Sequence, residues 1–261
     1  MHPYFDIPGP QLFGHRGASG EAPENTVVAF ERALAHGVPY LELDCHATRD
    51  GEIVVLHDAR LERTTDGQGL VSEHSFAELQ RLDAGFRFTL DDRTHPFRGE
   101  GVRVPRFSEI LRAFPGARLN LEVKQAEPPI ADEVVRLVRA ANAEKRVLLA
   151  AEEEPVLAEI RRLDAGTALG SSMQDVIDFV QAAAGGRLAR FEPRGHALQI
   201  PPDALGRPLV TPELVEAAHA LGLFVHVWTI NDASEMRRLL ALGVDGLMSD
   251  LPGLLMATAR G

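Results

Sequence analysis

Tyr40-Leu41-Glu42-Leu43-Asp44-Cys45 has the make-up of a buried strand carrying two carboxylates. Side chains alternate along a strand, so Glu42 and Asp44 share one face. Leu119-Asn120-Leu121-Glu122-Val123-Lys124 repeats the pattern, with Glu122 and Lys124 sharing a face. Leu12-Phe13-Gly14-His15-Arg16-Gly17 ends an apolar stretch with a cationic pair, and His57-Asp58 closes the apolar run Ile53-Val54-Val55-Leu56. Functional groups placed at the ends of separate strands point to a sheet whose strand ends meet.

Outward from these runs, strand-like segments at 12–15, 40–45, 118–123, 146–151, 167–170, 197–200, 224–229 and 245–248 alternate with helix-like ones. The helical spacing falls at 25–36, 107–113, 130–141, 154–163, 174–184, 212–221, 233–242 and 252–259. Pro155 and Pro212 sit near helix starts, and Gly37, Gly222 and Gly243 just after helix ends, where each is favoured. Eight strand–helix units predict an α/β fold, a (β/α)8 TIM barrel. Residues 46–103 break the rhythm with a short strand and a polar stretch too long for an ordinary βα loop. They read as an insertion after the second strand, capping the C-terminal face where barrels build their sites. The whole of 1–261 is expected to form a single domain.

A chain of 261 residues with 45% hydrophobic content suits one large core. Its net charge of −11 argues against nucleic acid or an anionic membrane as the main partner. An anionic substrate then needs a local cationic pocket or a metal. The single cysteine, Cys45, excludes an intramolecular disulfide and reads as a core residue facing away from Glu42 and Asp44. With no leader-like start and no apolar run of membrane-spanning length, the expectation is a cytoplasmic protein without a stable membrane anchor.

Glu42, Asp44 and Glu122 are expected to project into one barrel mouth, where their repulsion suits a hard divalent cation with oxygen ligands. The competing reading is a set of salt bridges to lumen Lys and Arg. No Cys or His grouping of zinc type accompanies them. His15 and His57 are the proton-transfer candidates. Among 10 histidines, His2, His74, His95 and His219 read as structural or solvated, and His46 as a support behind the site. Arg16 and Lys124 are candidates for neutralising a phosphate, compatibly with ion pairs to Glu24 and Glu122. Trp228, on a strand read as facing inward at His226 and Trp228, is either a wall of the pocket or a packed barrel residue. Asn25 reads as a helix cap and Glu24 as a pocket residue.

The ordered set His15-Arg16-Gly17, Pro23-Glu24-Asn25-Thr26, Glu42-Leu43-Asp44, Thr48-Arg49-Asp50-Gly51, His57-Asp58 and Leu61-Glu62-Arg63-Thr64-Thr65 continues through Leu82-Asp83-Ala84-Gly85 and Pro105-Arg106-Phe107. It ends with Leu119 to Lys124, Val227-Trp228-Thr229-Ile230-Asn231 and Gly243-Val244-Asp245-Gly246. Together these pieces resemble the glycerophosphodiester phosphodiesterase family across nearly the whole chain. The resemblance implies a (β/α)8 barrel with an insertion after strand two. It also implies one Mg²⁺ or Ca²⁺ ion at Glu42, Asp44 and Glu122, and cleavage of glycerophosphodiesters to sn-glycerol 3-phosphate and an alcohol. Residues matching His15 and His57 form the family's catalytic pair; Arg16 beside them, and Lys124, Trp228 and Glu24 around the substrate, remain candidates read from the residues themselves. His15 is assigned as base and His57 as acid, or the reverse. Alternatives are a lysophospholipase D or sphingomyelinase D type enzyme, or a barrel that only binds phosphodiesters. Two departures stand out: Ala150-Ala151 in place of Ser-Phe, and Ser249-Asp250 in place of Thr-Asp. Neither is expected to touch the acid, base or metal ligands.

Overall fold

In the computed structural model, which describes residues 1–260, strands and helices alternate from end to end. In chain order they are β1 (Gln11–Gly14), α1 (Val27–Ala35), β2 (Tyr40–Ala47), β3 (Ile53–Val55), α2 (Phe76–Leu79) and α3 (Phe107–Ala113). Next come β4 (Arg118–Val123), α4 (Ala131–Ala140), β5 (Val147–Ala150), α5 (Glu154–Leu163), β6 (Ala168–Leu169) and α6 (Met173–Ala184). The last are β7 (Ala197–Ile200), β8 (Asp203–Ala204), β9 (Arg207–Pro208), α7 (Pro212–Ala220), β10 (Phe224–Val227), α8 (Ala233–Ala241), β11 (Gly246–Ser249) and α9 (Pro252–Arg260).

The parallel strands lie in the order β6-β5-β4-β2-β1-β11-β10-β7. His196 N donates to Leu169 O at 2.8 Å, and Ser171 Oγ to Ala197 O at 2.9 Å, bridging the two ends. The result is the expected TIM barrel, nearly closed. Strand parity then sorts the side chains. Leu41, Leu43 and Cys45 join Leu119 and Leu121 in the layer between sheet and helices, while Tyr40 packs in the lumen with Phe13, Leu148, Ala168 and Met248. Tyr4 and Phe5 close the lumen from below. Burial of each such aromatic or aliphatic side chain contributes roughly 1.5–3 kcal/mol.

The helix ends follow local rules. Thr26, Ser172 and Thr211 cap α1, α6 and α7 by accepting from backbone amides three residues on. Gly37, Gly222 and Gly243 follow α1, α7 and α8 with positive φ, as their positions predicted. Among the boundaries that move, three bear on the site. α1 begins at Val27 rather than at 25, because Thr26 supplies the cap. β10 stops at Val227, short of Trp228. β2 runs on to Ala47, so His46 lies in the strand and the insertion starts after it.

That extension has a cause. β3 pairs antiparallel with the end of β2, Cys45 opposite Val55 and Ala47 opposite Ile53. The insertion has its own apolar cluster of Val54, Leu56, Leu61, Val71, Phe76, Leu79, Val102 and Val104. It is thereby held over the end of β2, where His57 emerges. Among the described residues, no helix is long and apolar enough to cross a membrane.

Candidate active site

Register places the carboxylates. Asp44 pairs with Glu122 and Glu42 with Asn120 across β2 and β4, all on the lumen side. Ligand atoms of Glu42, Asp44 and Glu122 lie within 4.8 Å of one another. Glu42 and Asp44 are buried, Asp44 to 1% exposure. Burial, then the neighbouring Asp44, pushes the Glu42 carboxyl up to about 8. Burial also raises Glu122, against the opposing pull of Lys124.

Two cations face this cluster. The Arg16 backbone N–H donates to Glu42 Oε2 at 2.9 Å, and its Nε lies 3.4 Å from Asp44 Oδ2. That Nε is buried and makes no hydrogen bond. Arg16 Nη1 donates to Glu24 Oε1 at 3.0 Å, so the expected pair with Glu24 exists alongside the pocket contacts. Lys124 Nζ is 2.9 Å from Glu122 Oε1 and 3.5 Å from Asp44 Oδ1. Burial works against the charge of Lys124, but Glu122 and Asp44 outweigh it and raise its pKa.

The local fold of the loop after β1 makes this possible. Gly17 has φ +84°, and a Cβ there would sit 2.6 Å from the Ala29 carbonyl carbon. Glycine lets this loop lie flat on α1 and turn the Arg16 N–H toward Glu42. Asn25, read as a cap, is instead part of the site. With φ +58° it stands outside the helix, its Nδ2 donating to Asp44 Oδ2 at 2.9 Å and its Oδ1 accepting from Asp44 N at 3.3 Å. It lines up Asp44 rather than α1.

Each candidate histidine has a carboxylate on Nδ1. His15 Nδ1 is 2.6 Å from Asp250 Oδ1, and His57 Nδ1 is 2.6 Å from Asp58 Oδ1. A proton held there leaves each Nε2 as the working nitrogen. His15 Nε2 points toward Glu42, 3.9 Å from Oε2. Burial alone lowers the His15 pKa, but the Asp250 bond and the Glu42 charge outweigh it and raise it. Asp250 is fixed in turn by Ser19 Oγ and Asn231 Nδ2, both at 2.6 Å. Bonds from His15 and Ser19 overcome its burial and hold its carboxyl down at about 2. His46 Nε2 meets the His57 carbonyl at 3.0 Å, which makes it the support expected behind the site.

The end of β11 thus corrects one expectation: Ser249-Asp250 does reach His15, the candidate acid or base. The Ser249 carbonyl accepts from His15 N at 2.9 Å, and Asp250 holds the ring. Trp228 is 41% exposed, so it is not a packed lumen residue; it stands at the open mouth, whereas His226 is buried against Gln11 and Phe13. Glu24 is gripped by Arg16 and Arg63. Sequence reasoning does not single out Asp250, Asn231, Asp58 and Arg63, which the structure adds to this cluster. For Asp250, Asn231 and Asp58 the usable signal is position, a polar residue a few places past a strand end on the face where barrel sites form; Arg63, deep in the insertion, has no such signal.

A carboxylate cluster able to hold a cation, two cationic side chains and two carboxylate-bound histidines together suit a phosphate ester. Fold and site together define a phosphoesterase barrel. A model of the glycerophosphoryl diester phosphodiesterase family matches residues 15–254. The chain belongs to that family and is a phosphoric diester hydrolase. It is 32% identical over 255 residues to a glycerophosphodiester phosphodiesterase of Bacillus altitudinis, covering 93% of this chain and 95% of the relative. The crystal structure of glycerophosphodiester phosphodiesterase from Agrobacterium tumefaciens has a TM-score of 0.76 at 28% identity, over 95% of this chain and 99% of that one. An Oleispira antarctica phosphodiesterase, solved in complex with the product sn-glycerol-3-phosphate, has a TM-score of 0.76 at 26% identity, over 97% of each chain.

Proposed function

We propose that this protein hydrolyses glycerophosphodiesters to sn-glycerol 3-phosphate and an alcohol. In this reading it uses a divalent cation held by Glu42, Asp44 and Glu122, and His15 and His57 as base and acid. The observation that carries the reading is the convergence of three carboxylates, two cations and two carboxylate-bound histidines on one mouth. The product bound in the Oleispira relative supports the glycerol 3-phosphate half of the reaction.

The donor set fits a metal. It is all carboxylate oxygen, as Mg²⁺ or Ca²⁺ prefers. Three carboxylates against Arg16 and Lys124 leave one formal negative charge. A divalent ion turns that into one positive charge, which a phosphodiester monoanion balances. Burial first, and then the neighbouring Asp44, raise the Glu42 carboxyl, and a bound cation would offset both. Bound there, the ion would neutralise phosphate charge and acidify a nearby hydroxyl.

The chain's own groups do the rest. Arg16 and Lys124 hold non-bridging phosphate oxygens. His15, its Nδ1 proton engaged by Asp250, accepts a proton at Nε2 from the attacking hydroxyl. His57, held by Asp58, donates from Nε2 to the departing alkoxide. Trp228 forms a wall for the glycerol carbons.

A panel of glycerophosphodiesters assayed with Mg²⁺, Ca²⁺ and EDTA tests this. Release of glycerol 3-phosphate is expected with a metal ion present and not after chelation. Full turnover after exhaustive chelation would remove the metal from the scheme. Inactivity on every member of the panel with either ion would remove the substrate class.

A further inference from the structure

Arg63 belongs to the insertion, is 46% exposed at its side chain, and grips two carboxylates at once. Its Nε lies 2.5 Å from Asp58 Oδ2 and its Nη2 3.1 Å from Asp58 Oδ1. Along its other edge, Nη1 lies 2.7 Å from Glu24 Oε2 and Nη2 2.8 Å from Glu24 Oε1. Each carboxylate has a second partner within the site: Asp58 Oδ1 meets His57 Nδ1, and Glu24 Oε1 accepts from Arg16 Nη1. A continuous charged chain therefore runs His57–Asp58–Arg63–Glu24–Arg16, from the insertion to the loop after β1.

The surrounding sequence holds Arg63 in place. Thr65 N and Thr65 Oγ1 both donate to the Leu61 carbonyl, at 3.1 and 2.8 Å, closing a turn around it. Leu61 is anchored in the apolar cluster under the insertion. A lone exposed ion pair contributes little to stability. A guanidinium fixed in two bidentate pairs is different, because its plane dictates how the two carboxylates sit relative to each other. Lysine has no such plane.

We propose that Arg63 is a positioning residue that locks the His57–Asp58 pair of the insertion to the Arg16 phosphate arm of the barrel. The proton donor and the phosphate clamp then keep one spacing. This rests on the roles assigned above to His57 and Arg16. The two edges have separable consequences. Loss of the Asp58 edge loosens His57 and lowers kcat. Loss of the Glu24 edge frees Arg16 and raises KM.

Steady-state kinetics on Arg63→Gln, Asp58→Asn, Glu24→Gln and their combinations test the lock. Arg63→Gln is expected to lower kcat by about 10-fold or more and raise KM by about 3-fold, the scale of sub-ångström misplacement. Asp58→Asn should act mainly on kcat and Glu24→Gln mainly on KM. Adding Arg63→Gln to the double variant should change little, since the three act as one unit. Methylguanidinium should restore part of the kcat of Arg63→Ala, while Arg63→Lys should keep the kcat and KM defect at an unchanged melting temperature. If Arg63→Gln fails to fold, Arg63→Lys carries the same split. Full activity in Arg63→Lys, or full additivity in the triple variant, overturns the proposal. So does a kcat and KM within about twofold of wild type in Arg63→Gln while His57→Ala is inactive, and the His57 role then survives. Full activity in His57→Ala overturns that role and the lock together.

Discussion

Asp250 and His15, 235 residues apart in sequence, meet in a 2.6 Å contact between Oδ1 and Nδ1 that sets how the His15 ring presents Nε2 to the mouth. The contact exists because β1 and β11 are neighbours, with Gly14 in register with Ser249, so the residues that follow each strand emerge side by side. It also raises the His15 pKa against the lowering effect of burial.

Asp250→Asn should therefore shift the pH profile. His15 must be neutral to act as base, so the acid limb of kcat/KM follows its pKa. With the Asp250 charge removed, that pKa falls and the acid limb moves to lower pH. The amide can also donate to Nδ1 and favour the wrong tautomer, so kcat should drop by about 10²-fold or more. An acid limb that stays put or moves up rules out His15 as the group that sets it.

His15→Ala and His57→Ala should each lower kcat by about 10²–10⁴-fold with a smaller effect on KM. The wild-type kcat/KM profile should be bell-shaped, because one histidine works neutral and the other charged. Near-wild-type kcat in both variants would refute the proton-transfer roles.

Metal and pH should be coupled through Glu42. In the metal-free protein its carboxyl is raised to about 8, against about 4.3 in an unfolded chain. The folded state then holds the extra proton between those values, so metal-free stability falls as pH rises through that window. A bound divalent cation keeps the carboxylate ionised and removes the slope. Melting curves from about pH 5 to 8 should diverge between EDTA-treated and Mg²⁺- or Ca²⁺-loaded protein, with the gap widening upward. Parallel curves would show that Glu42 does not face the ion.

A glycerophosphodiester lacking the 2-hydroxyl should be nearly inert yet still compete with substrate. The expectation rests on attack at phosphorus by the neighbouring hydroxyl, which has a large effective-concentration advantage over water. That route gives a cyclic 1,2-phosphate, with His15 taking the hydroxyl proton and His57 protonating the leaving alcohol, and water opens the ring in a second step. Hydrolysis of the deoxy analogue at close to the parent rate would mean that water attacks directly.

The barrel itself was legible along the chain. Apolar runs at strand spacing, helical stretches between them and glycines at helix ends are local properties, and local properties survive being read one residue after another. Strand parity alone put Glu42 with Asp44 and Glu122 with Lys124, because alternation needs no knowledge of neighbouring strands. The ordered motifs marked His15, His57 and Arg16 at strand ends. What tertiary structure decided is who meets whom. The pairing of β2 with β4 sets Asp44 opposite Glu122, and the pairing of β1 with β11 brings Asp250 to His15. A positive φ turned Asn25 from a helix cap into a brace for Asp44. The early end of β10 left Trp228 at the open mouth rather than in the lumen. The antiparallel β3 carried His57, Asp58 and Arg63 over the end of β2, where Arg63 reaches Glu24. None of these contacts has a local signature, since each depends on strand order and register fixed by packing of the whole sheet.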